Sequence, residues 1–306
     1  MRSLAVLFAA VGLCAMFGSG GAAAHSAGPV PDGSSPPPGA NDWHCAPPSA
    51  HPDPVVLVHG TWGNQNNWDV LAPELKSQGY CVFSLNYGRD VSSASGAEPG
   101  VYGTGDIRVS ARELAFFIEK VCAATASEHV DLVAHSQGGV VARQYMRFDG
   151  GVDRADPQHN VVRRLVTIGA TNHGTTFKEV GFLASTGSSS GPIAGAVAQV
   201  LGVAAAQQVI GSPFLAHLNA GGDTEPGVDY TVIASRADDI TTPPESTFLR
   251  PGPHAVVDNV WVQAVCANDT ADHAELPQSP TVIRIVQRAL DPAFSADAVV
   301  SPCARP

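Results

Sequence analysis

Six short runs rich in Val, Ile and Leu, at 55–59, 81–85, 130–134, 162–168, 230–234 and 256–262, alternate along the chain with stretches of helical character. Strands separated by helix-length connections build right-handed βαβ units. The alternation therefore predicts an α/β fold with a mostly parallel central sheet of about six strands and helices on both faces. One such core accommodates most of the 306 residues, because single α/β domains reach this size. Its interior is expected to be aliphatic, since hydrophobic residues make up 44% of the chain and aromatics 7%.

The helical stretches differ in clarity. Over 110–121, Leu114, Phe117, Ile118 and Val121 fall on one face, as an amphipathic helix requires. The segment 70–77 stops before Gly79, a residue suited to ending a helix. No internal repeat is visible. Between 177 and 228 the chain turns rich in Gly, Ala and Ser and carries an apolar stretch at 192–209. Gln199, Gln207 and Gln208 interrupt that stretch, which argues against a membrane span. A core helix and a lid over a cleft both remain open, with the lid or cap region set at 178–222.

The first 24 residues have the form of a signal peptide. Arg2 supplies the charge, 4–17 the short apolar run, and Ala22-Ala23-Ala24 the small-residue cleavage site. A Gly, Pro and Ser-rich leader is expected over 25–42 and a single folded domain over 43–306. Export makes disulfides the expected use of Cys45, Cys81, Cys122, Cys266 and Cys303, an odd set that leaves one thiol over. No Cys-x-x-Cys or Cys-His cluster suggests a metal. Loss of Arg2 takes the net charge from −11 to −12, with 16 basic against 28 acidic residues. So acidic a protein is repelled by nucleic acid and by anionic membrane surfaces.

The run 130–134 leads into His135-Ser136-Gln137-Gly138-Gly139 and then into a helix-like segment at 140–146. That is the strand-turn-helix setting of a nucleophile elbow, with Ala134 where Gly is usual. A serine hydroxyl needs a base to take its proton and dipoles to hold the oxyanion that develops on the attacked carbonyl. In this fold the acid and then the base follow the serine in the chain. Asp238, after the fifth run, and His273, past the last one, fit that order. Asp239 and Asp258 compete as acid, and His254 and His217 as base; His254 precedes the last run and ranks below His273. Oxyanion donors are expected at Gln137, directly after the serine, and at Thr61 in the turn His59-Gly60-Thr61-Trp62-Gly63, whose hydroxyl adds a further candidate donor. Acyl transfer of this kind requires no cofactor and no metal.

These residues resemble the secreted class 2 lipases of actinobacteria and, more distantly, Candida antarctica lipase B. The likeness covers 54–61, Gly79-Tyr80-Cys81, 135–139, Asn172-His173-Gly174-Thr175, 212–215 and 219–223. It implies the α/β-hydrolase fold, Ser136, Asp238 and His273 as a triad, and Thr61 and Gln137 as oxyanion donors. It favours Asp238 over Asp239, because 237–240 with Pro243 is similar to the stretch around the acid of that lipase. It also implies bridges Cys45 to Cys81 and Cys266 to Cys303. His173 is read as a structural loop residue without a proton-transfer partner. The function implied is that of a triacylglycerol lipase, with an acylglycerol or other carboxylic ester as substrate and a lipid-water interface as a candidate place of action; the apolar run at 4–17 is too short for a transmembrane anchor. A short-chain or polyester-cleaving esterase and a non-catalytic lipid-binding scaffold are the alternatives.

Overall fold

The computed structural model describes residues 32–177, 192–291, 293, 294 and 303. The signal peptide expected at 1–24, the first part of the leader and residues 178–191 of the expected lid region lie outside them.

The six apolar runs form β1 (Val55–Val58), β2 (Val82–Ser84), β3 (Val130–His135), β4 (Val162–Ile168), β5 (Asp229–Ala234) and β6 (Val256–Trp261). They make one sheet in the order β2-β1-β3-β4-β5-β6, with every neighbouring pair parallel. Side chains alternate between two buried faces. Val56, Val58, Leu132, Ala134, Leu165, Tyr230 and Val232 point into one core, and Val55, Leu57, Val133, Val166, Ile168 and Ile233 into the other. A strand covered on both sides has no polar face to show, which is why the runs read as nearly continuous apolar stretches. β6 departs from this: it is the edge strand, and Val256, Asp258 and Asn259 are exposed.

Helices cover both faces. α1 (Leu71–Ser77) buries Leu71, Ala72 and Leu75, and Gly79 follows it at φ +93°, a conformation that glycine adopts without strain. α2 (Ala94–Ala97) is a single turn. α3 (Ile107–Thr125) is longer than the predicted 110–121 because the Asp106 side chain caps its start, accepting from Arg108 N at 2.8 Å. Its Leu114, Ile118 and Val121 enter the first core beside Val140, Val141 and Met146 of α4 (Gln137–Phe148). The second core is closed by α1 and by Val282, Ile283, Val286 and Leu290 of the last helix described below.

The expected leader is bound to the domain from residue 32 onward. Gln65 Nε2 and Asn86 Nδ2 both donate to Gly33 O at 2.7 Å. The Asn41 side chain brackets Ser84, donating to its carbonyl at 2.9 Å and accepting from its N–H at 2.8 Å. Ala40 pairs with Val82, so this segment covers the open edge of β2. Side-chain amides gripping backbone carbonyls leave no hydrophobic period, so the composition of the segment carries no sign of this docking.

The expected lid region is divided. α5 (Pro192–Leu201) leaves Gln199 and Val200 exposed, whereas α6 (Val203–Gln207) buries Ala204 and Ala205 in the core. α7 (Pro213–Asn219) follows with Phe214, Leu215 and Leu218 inward. α8 (Val262–Val265) and α9 (Pro280–Leu290) complete the described chain. Cys45 is bonded to Cys81 and Cys266 to Cys303, which leaves Cys122 as a half-buried thiol.

Candidate active site

Sheet order reverses between β1 and β3, and crevices beyond the carboxyl ends of strands at such a point are where ligands bind in open α/β sheets. Both strands flanking the reversal deliver residues singled out from the sequence. β1 runs into Gly60 and Thr61, and β3 into Ser136.

Ser136 caps α4 with φ +54° and ψ −126°, a backbone conformation costing about 1–3 kcal/mol for a residue with a side chain. Two glycines let the turn close. A Cβ on Gly138 would lie 2.3 Å from Val58 O, and one on Gly139 would lie 2.6 Å from Ala170 Cβ. The sharp turn lifts Ser136 out of the strand, and its N–H stays tied to Ile168 O at 2.9 Å.

Asp238 lies in the turn after β5. Its Oδ1 accepts from Ile240 N at 3.0 Å and Thr241 N at 2.7 Å, which aims Oδ2 the other way. His273 lies between α8 and α9. Its Nδ1 is 2.9 Å from Asp238 Oδ2, and its Nε2 is 2.9 Å from Ser136 Oγ. With Nδ1–H donating to the carboxylate, Nε2 carries the lone pair and accepts the serine hydroxyl. All three side chains are more than nine-tenths buried. Gly169 covers the contact between Asp238 and His273: at φ +55°, a Cβ there would sit 3.0 Å from Asp238 Oδ2. The rivals lie elsewhere, for Asp239, Asp258, His254 and His217 are exposed, and His217 stacks on Phe148.

Thr61 and Gln137 meet beside this group. A Cβ on Gly60 would be 2.8 Å from Ser136 Cβ, so the loop after β1 presses on the serine. Gln137 Nε2 donates to Thr61 Oγ1 at 3.0 Å and to Gly103 O at 2.9 Å. The N–H of Gln137 opens α4, where backbone donors have no intrahelical acceptor. The arrangement sets a serine hydroxyl, an imidazole oriented by a carboxylate, and backbone donors at a helix start side by side, groups of the kind that acyl transfer uses.

A family model described as lipase (class 2) matches residues 52–279. The chain belongs to the class 2 lipase family. Among curated proteins, the chain is 30% identical over 132 residues to a triacylglycerol lipase of Pseudarthrobacter phenanthrenivorans, a match covering 41% of the chain and 35% of that protein. It spans about a third of the length of the curated relatives it matches. Among solved structures it is similar to Aspergillus fumigatus lipase B, with TM-score 0.59 and 22% identity over 78% of this chain and 52% of that one. It is also similar to a Bacillus licheniformis lipase in mature form, with TM-score 0.54 and 17% identity over 80% and 94% of the two chains. These structural likenesses carry the α/β-hydrolase fold.

Several residues of this candidate site were not singled out from the sequence. Gln208 was noted only as a polar break in an apolar stretch, yet it is fully buried against Thr61. Thr171 and Gly169 at the end of β4 carried no local signal. His173 has a carboxylate partner after all: Nε2 is 3.0 Å from Asp223 Oδ1 and Nδ1 is 3.1 Å from Ser246 O. The ring clamps two loops to each other and makes no contact with the Ser136 group.

Proposed function

We propose that the protein is an exported carboxylic ester hydrolase, a triacylglycerol lipase working through a covalent acyl-Ser136 intermediate. The observation that carries this reading is the pair of 2.9 Å contacts joining Ser136 Oγ to His273 and His273 to Asp238. His273 Nε2 takes the hydroxyl proton as Ser136 Oγ attacks the ester carbonyl. Asp238 stabilises the imidazolium that results, and the backbone N–H groups of Gln137 and Thr61 receive the oxyanion. The imidazolium then protonates the leaving alcohol. Water, deprotonated by the same ring, attacks the acyl-serine and releases the acid.

Triacylglycerol as substrate is supported by the family and by the curated relatives. Export is supported by the two disulfides, which persist in oxidising surroundings. No helix among the described residues is long and apolar enough to cross a membrane.

The test compares emulsified long-chain triacylglycerol with a soluble short-chain ester, using the purified protein and its Ser136→Ala variant. Turnover of both substrates, lost by at least about a thousandfold in the variant, is the expected result. Hydrolysis of the short ester alone would replace lipase with esterase, and an unchanged variant would remove Ser136 from the chemistry.

A further inference from the structure

We infer that Gln208 is a positioning residue for the oxyanion site and acts through the hydroxyl of Thr61. The inference rests on the hydrolytic reading of Ser136 and adds to it a donor whose direction is set from outside the strand ends.

Gln208 follows α6 and is wholly buried. Its Oε1 accepts from Thr171 Oγ1 at 2.9 Å, and this contact decides which end of the amide carries the protons on the other side. There Nε2 donates to Thr61 Oγ1 at 2.9 Å and to Ala204 O at 3.0 Å. Gln137 Nε2 donates to the same Thr61 oxygen from a second direction, at 3.0 Å. A threonine hydroxyl offers two lone pairs and one proton. Two amide donors occupy both lone pairs, so the proton is turned away from both amides. Among the described residues it has no hydrogen-bond acceptor.

The free proton belongs to the loop whose Gly60 packs on Ser136. The oxygen of a carbonyl attacked by Ser136 is the acceptor this arrangement lacks. Accepting two hydrogen bonds also polarises the Thr61 O–H and strengthens it as a donor. The Gln208 amide thus holds the hydroxyl in one rotamer before substrate arrives, and the oxyanion gains a third donor without reorganisation. Trp62 Nε1 donates to Leu201 O at 2.9 Å and braces the same loop against the end of α5.

The experiment is a double-mutant cycle, with kcat and KM measured on a soluble ester and thermal unfolding recorded for every variant. Thr61→Val removes the hydroxyl and keeps the backbone donor; a loss in kcat of about a hundredfold is expected. Gln208→Leu should lower kcat about tenfold with KM within about twofold, and the isosteric Gln208→Glu at least as much, since its carboxylate captures the Thr61 proton. In the Thr61→Val background, Gln208→Leu should change kcat by less than about twofold. An equal loss in both backgrounds, a wild-type kcat for Thr61→Val, or a wild-type kcat for Gln208→Glu would each overturn the inference. Should Gln208→Leu fail to fold, the cycle is run with Gln208→Glu. Failure of the underlying reading is separate, because it shows as activity surviving Ser136→Ala.

Discussion

His135 stands directly before Ser136 and holds the loop that carries His273: its Nε2 lies 3.0 Å from the carbonyl oxygen of that residue. The contact requires the ring proton on Nε2. Burial, reinforced by the neighbouring His273, holds the His135 imidazole well below its ordinary pKa, so the ring is a neutral donor. One strand end thus carries Ser136 and fixes the backbone of His273.

Replacing His135 by Leu should leave the His273 carbonyl buried without a donor, a loss of about 1–3 kcal/mol. The expected result is a kcat reduced about tenfold or more at nearly unchanged KM, with His135→Gln, which retains an N–H, falling between Leu and wild type. Steady-state kinetics on a soluble ester measures this. A wild-type kcat in His135→Leu would show that the His273 loop holds itself.

The adjacent aspartates should separate sharply. Asp238→Asn removes the carboxylate that orients His273 and should lower kcat by about ten-thousandfold, while Asp239→Asn, on an exposed side chain, should stay within about twofold. Comparable losses in the two variants would refute the assignment of the acid.

That pair shows where sequence reasoning stops. The six strands were legible because burial on both faces writes itself into runs of Val, Ile and Leu, and Ser136 because its turn is local. Asp238 and Asp239 are neighbours in a turn, where no periodicity says which side chain faces inward. Only the resemblance distinguished them before the structure showed Asp238 held by the N–H groups of Ile240 and Thr241. Gln208 was illegible for a different reason. Its contact with Thr61 joins residues 147 apart in the chain, and nothing about an isolated glutamine reports so distant a partner. Residues 32–42 carry no such signal because polar side chains, not apolar ones, dock them.

Acid should destabilise the protein through His59. Burial pulls this imidazole down to about 4, against the hydrogen bond to Gly60 O that favours the charged form. The unfolded chain binds the proton near 6.5, so between pH 6.5 and 4 the unfolded state holds more protons and stability falls as pH falls. From pH 8 to pH 5 the ring should cost about 2 kcal/mol. Urea unfolding of the wild type and of His59→Gln at both pH values checks this: the variant should lose about 2 kcal/mol less than the wild type. Equal losses would mean that the ring remains hydrated in the folded state.

The Ser136 group draws on strand ends far apart in the chain, with 137 residues separating the serine from its base. A polypeptide released or clipped before His273 lacks the imidazole that lies 2.9 Å from Ser136 Oγ. On the proposed hydrolytic reading, ester cleavage would report a molecule in which both strand ends have docked. During refolding, the first appearance of product would time the docking of the segment beyond β6, independently of how early the rest of the sheet had formed.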